Sequence, residues 1–112
     1  MKDLIKNLKK AEAMTLLERI EYQNGKVASL TLAQQPGVGM TLFAFDAGEG
    51  ISTHAAPGDA FVQILEGEAL ITIDGAENCL TAGEIIVMPA GIPHSVKAIS
   101  RFKMLLTVVK EA

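Results

Sequence analysis

The spacing of apolar residues changes once along the chain. Leu4, Ile5, Leu8 and Ala11 fall on one stripe at helical spacing, and Lys2, Lys6, Lys9 and Lys10 occupy the opposite side. This predicts a short N-terminal helix over residues 1–14. Thr15-Leu16-Leu17-Glu18 has the form of a capping box, but four such residues often occur by chance, so at most a short turn is expected there. From Leu17 onward the period drops to two. Ala28, Leu30 and Leu32 alternate with Ser29 and Thr31, the signature of a half-buried strand. Further strands are expected over 40–46, 51–56, 60–66, 68–73, 77–81, 85–88 and 102–109, with another opening at Pro93-His94. Asn24-Gly25 and Asp74-Gly75 are hairpin signals, because both central turn positions need positive φ. Many short strands with Gly and Pro punctuation indicate an all-β sandwich or barrel. The stretches 85–88 and 104–109 are apolar on both faces, which implies that both faces are covered. One face would meet the interior, the other the N-terminal segment or a second subunit.

Length and charge narrow the partners. A chain of 112 residues with 49% hydrophobic content reads as a single domain, 1–112, whose core closes without disulfides. Its only cysteine, Cys79, has no partner for an internal bridge and reads as a small strand residue. A net charge of −3, spread along most of the chain, argues against nucleic acid as the main partner. No apolar run approaches the roughly 20 residues needed to cross a bilayer, and lysines interrupt any signal-peptide stretch. No membrane association is expected, and a cytoplasmic location is the default. Gly37-Val38-Gly39 is not a phosphate loop, since neither Lys-Ser/Thr nor a helix follows.

The chemistry lies in two stretches. The first runs from Gly48 through His54, Ala56 and Ala60 to Gly67. The second runs from Gly83 through Pro89-Ala90-Gly91 and His94 to Ala98. With FVQILEGE at 61–68 and IVMPAGIPHS at 86–95, they resemble the paired motifs of the cupin superfamily over more than half the chain. The resemblance implies a double-stranded β-helix, or jelly-roll barrel, with its core at about 40–110, and pairing into a homodimer. It also implies positions for a divalent transition metal, held by three histidines and one acid. His54 and His94 stand at the first and last of these positions. Ala56 and Ala60 stand where the second histidine and the glutamate would be, and Ala98 occupies the final motif position.

Such a set is incomplete. A transition metal in a barrel needs about three protein donors, and no carboxylate here offsets the ion's charge. Asp59 adjoins the vacant acid position, but it sits at a turn and reads as a backbone-bonding turn residue. Methyl groups in place of an imidazole and a carboxylate leave a larger, less polar pocket. That suits a mostly apolar organic ligand whose polar end meets the two histidines. By alternation, the pocket is expected to be formed by His54, His94, Ser52, Ala56, Ala60, Val62, Ile64, Val96 and Met104, and Gln63 faces the other way. The first expectation for function is a small-molecule-binding barrel without a full metal site or other confident cofactor. The alternatives are a metal-dependent dioxygenase, isomerase or lyase, and a metal-free isomerase using His54 and His94 as acid and base.

Overall fold

The computed structural model describes residues 3–112. Among these, nine strands follow one short 3-10 turn, Leu16–Arg19. They are β1 (Val27–Gln35), β2 (Val38–Phe45), β3 (Gly50–His54), β4 (Asp59–Glu66), β5 (Glu68–Ile73), β6 (Ala76–Thr81), β7 (Ile85–Met88), β8 (His94–Ala98) and β9 (Phe102–Val109). Two antiparallel sheets in the orders β1-β2-β9-β4-β7 and β3-β8-β5-β6 face each other. This is the all-β jelly-roll barrel. Asp74 and Gly75, at φ 50° and 82°, make the hairpin turn between β5 and β6 as their sequence predicts.

Inward residues of both sheets form one core. Ala60, Val62 and Ile64 from β4 meet Val96 and Ala98 from β8 and Phe102 and Met104 from β9. One end of the barrel is filled solidly. There Phe45 and Phe102 are cross-strand partners and stack with centroids 4.5 Å apart. Gly67 carries the chain between the sheets at φ 81°, and a Cβ at this position would overlap the carbonyl oxygen of Arg101.

A second core lies on the outside of the larger sheet. Ala28, Leu32, Leu42 and Ala44 pack with Ile20, and Leu8, Leu16, Tyr22 and Leu105 border them. The N-terminal segment is therefore a strap over β1, β2 and β9. The expected helix is absent from residues 3–14; Met1 and Lys2 lie outside the described residues. Asn7 and Ala11 adopt positive φ, Lys6 N donates to Leu32 O and Asn7 Nδ2 donates to Thr31 O. Helices this short are marginal in water, and hydrogen bonding to β1 takes the backbone instead. The stripe is broken accordingly: Leu8 packs down, whereas Leu4 is 65% exposed.

The turn at Asn24-Gly25 forms, but no strand precedes it. Arg101 holds it through Asp46 (2.7 Å) and Asn24 Oδ1 (2.6 Å). Gly25 N donates to Asp46 Oδ2, and this bond, followed by the Arg101 contact, brings the Asp46 carboxyl down to about 2. Ile20 and Tyr22 serve the outer core rather than a hairpin. Lys103, only 7% exposed, secures the strap: its Nζ donates to Leu17 O at 2.6 Å and lies over the Tyr22 ring. Tyr22 donates to Glu66 at 2.6 Å. Burial, then Glu66, raise its phenol above the ordinary value.

Candidate functional site

The barrel end opposite the phenylalanine stack opens into a cavity of about 200 Å³. His54 and His94 are direct partners across β3 and β8, and their rings meet edge to face with centroids 4.4 Å apart. His94 is 4% exposed, whereas His54 stands at the rim with one side open. The imidazoles are fixed in the same way. Nδ1 of His54 lies 3.0 Å from Ser52 O, and Nδ1 of His94 lies 3.2 Å from Ile92 O. Carbonyl oxygens only accept, so Nδ1 carries the proton in each neutral ring and Nε2 is left as the free acceptor. No buried, unpartnered side-chain nitrogen or oxygen occurs among the described residues, so the His94 Nε2 is accessible, and His94 lines the cavity. Burial, and then the charge of His54, push the His94 pKa below the usual imidazole value, and the hydrogen bond to Ile92 O works against them.

Ala56, Ala60, Val96 and Met104 also line this cavity, so six of the residues singled out in the sequence meet there. The other three do not. Ser52 faces an outer groove with Thr53 and Lys97. Its displacement comes from a β-bulge: Ile51 pairs with Val96 and His54 with His94, so Ser52 and Thr53 on β3 stand opposite Ser95 alone on β8. Ile51 and His54 then share the inner face, and counting by twos from His54 selects the wrong neighbour. Val62 and Ile64 do point inward, but they are buried in the packed core rather than on the cavity wall. Alternation gives a face, not a depth along the barrel.

Alternation reached fewer wall residues than it could have. Leu106 and Val108 follow Met104 by twos, and Phe43 and Met88 pair directly with Met104 and Ala60. Phe43 and Met88 are hidden from such counting because they enter through sheet pairing, and Ile51 is hidden by the bulge.

The donor set does not fit a firmly held divalent metal. No group of three or more His, Cys, Asp or Glu side chains suited to a metal exists among the described residues. Asp59, beside the vacant acid position, accepts a hydrogen bond from Ala90 N at 2.8 Å. It bonds backbone as a turn residue does, but across the fold rather than within its own turn. The arrangement offers two imidazole rings in an otherwise apolar wall.

Comparison with known proteins agrees with this architecture. The cupin domain model matches residues 41–110. A conserved protein of unknown function from Streptococcus pyogenes is 41% identical, with a TM-score of 0.96 over 99% of this chain and 97% of its own. A cupin superfamily protein from Desulfitobacterium hafniense is 34% identical, with a TM-score of 0.91 over 96% of this chain and 98% of its own. A cupin 2 conserved barrel domain protein from Leptotrichia buccalis is 44% identical, with a TM-score of 0.84 over 87% of this chain and 47% of its own. No curated protein sequence is significantly similar. With the jelly roll, the two glycine-and-histidine motifs and a family match over most of the chain in agreement, the protein belongs to the cupin family.

Proposed function

We propose that this barrel binds a small, mostly apolar organic molecule at the His54–His94 end and does so without a full metal site. The supporting observation is the composition of the cavity. Ala56 and Ala60 line it together with the two histidines, so methyl groups stand where donors would complete a metal site. Apolar walls with a few convergent polar atoms suit small-molecule binding.

The test combines a binding screen with metal analysis. Small apolar molecules are screened by ligand-observed NMR against wild type and Ala60→Phe, whose ring fills the cavity. Binding by wild type that is lost in the variant supports the reading. Steady turnover of a bound compound, or about one equivalent of transition metal in protein purified without chelator, overturns it in favour of an enzyme. Reconstruction checks the register independently: Ala56→His with Ala60→Glu supplies the missing donors and should give strong zinc uptake by elemental analysis.

We further infer that two copies pair through the part of the larger sheet that the strap leaves bare. Phe61, Ile85 and Val87 are exposed there, Ile85 by 53%, and Gln63 lies beside them, opposite Ile85. Around Phe61, Gln63, Ile85 and Val87 this face is apolar or uncharged, with Asp59 at its end, so a second copy meets its centre without like-charge repulsion. Light scattering should give a dimer for wild type and a monomer for Ile85→Lys; a monomeric wild type would sink the idea.

A further inference from the structure

The pair of imidazoles also specifies what the ligand's polar end must be. This step rests on the binding reading above. Both rings direct their Nδ1–H to a backbone carbonyl, His54 to Ser52 O and His94 to Ile92 O. Each neutral ring is therefore held in the tautomer that leaves a lone pair on Nε2. Two separate backbone segments impose the same choice, and rotation of either ring would break its carbonyl bond. The polar end of the cavity is thus acceptor-only, and the wall around it is Ala, Val, Ile, Leu, Met and Phe.

An acceptor-only site discriminates by hydrogen-bond direction. A carboxylate has no hydrogen to donate and would set its oxygens against the Nε2 lone pairs. No lysine or arginine lines the cavity among the described residues to offset its charge. An ammonium group donates, but it would bring a charge that no acidic side chain in the wall balances. A hydroxyl donates without carrying charge. The volume agrees with a single-ring molecule: the cavity holds about 200 Å³, and an apolar engineered cavity of roughly 150 Å³ admits benzene. We propose that the pocket selects an apolar molecule of about one ring through a hydroxyl donated to Nε2 of His54 or His94, and rejects the corresponding carboxylate.

Three probes of similar size test this: p-cresol, p-xylene and benzoate. Affinities are measured by calorimetry on the full chain at a pH of about 8, above the ordinary imidazole pKa of roughly 6.5, after chelator treatment and dialysis. Imidazole ¹⁵N shifts are followed in parallel. The expected result is p-cresol tightest, about fivefold or more over p-xylene, with an upfield shift of an unprotonated imidazole nitrogen and no measurable benzoate binding. His54→Leu and His94→Leu are compared. His54 stands at the rim, so its replacement leaves the core packing in place even if the His94 variant fails to fold. The preference for p-cresol should fall in at least one of them.

Equal affinity for p-cresol and p-xylene with unmoved ¹⁵N shifts, tightest binding of benzoate, or a p-cresol preference that survives in both variants overturns hydroxyl selection and leaves the pocket itself standing. Failure of all three probes to bind at millimolar concentration overturns the pocket reading, and this inference with it.

Discussion

His94 is a nearly buried base whose charged form the fold resists. Burial and the neighbouring His54 lower its pKa. The unfolded chain, at the ordinary value of roughly 6.5, therefore binds a proton that the folded chain declines. Stability from this group is complete above the unfolded value and is lost as pH falls from there toward the lowered folded value. Urea midpoints should drop on acidification through this window, and the drop should shrink in His94→Gln. An equal slope in both proteins would assign the effect elsewhere. Gly67 makes a second residue-scale prediction. Its positive φ and its closeness to Arg101 O mean that Gly67→Ala should cost about 2 kcal/mol or more in chemical denaturation. Both histidines were visible in the sequence as motif positions. Lys103 was not, because a lysine in an apolar strand gives no sign that it reaches back to Leu17 O.

At the level of the element, strands could be read from period-two alternation and from short apolar runs between turn signals. The stretches over 85–88 and 102–109 match β7 and β9 to the residue. Two features defeated the same rule. The bulge in β3 inserts a residue that alternation cannot see, which turned Ser52 outward and Ile51 inward. Removing Thr53 should restore simple alternation with Ile51 and His54 two positions apart on the inner face; the nuclear Overhauser contact between the two imidazoles should then persist, and its loss would show that the bulge itself sets the direction of His54. The N-terminal segment misled for another reason. Its helical spacing is real, but tertiary hydrogen bonds to β1 outweigh a weak local preference. Its attachment depends on Lys103, so Lys103→Ala should destabilise the protein by about 2–3 kcal/mol, the scale of a hydrogen bond to a charged group. Protease cleavage within residues 3–22 should also quicken, which damage confined to the barrel would not produce.

For the whole molecule, the jelly roll followed from strand count, punctuation and the two motifs. The barrel's asymmetry did not. Phe45 and Phe102 pack one end solid, and small side chains at Ala56 and Ala60 leave the other hollow. Sequence alternation reports neither end, since depth along the axis depends on sheet pairing. Of the two outer coverings that apolar faces left open, the strap is the one that packs on β9, at Leu105, whereas Ile85 and Val87 of β7 stay exposed.

With the core on one side and the strap on the other, β9 is a partition between two compartments. Met104, Leu106 and Val108 line the cavity, while Lys103 and Leu105 in between serve the outer clasp. Adjacent codons thus answer to different neighbours. Diversifying Met104, Leu106 and Val108 alone would remodel the cavity's size and shape with its outer cover undisturbed, so this strand is the natural handle for reshaping the interior.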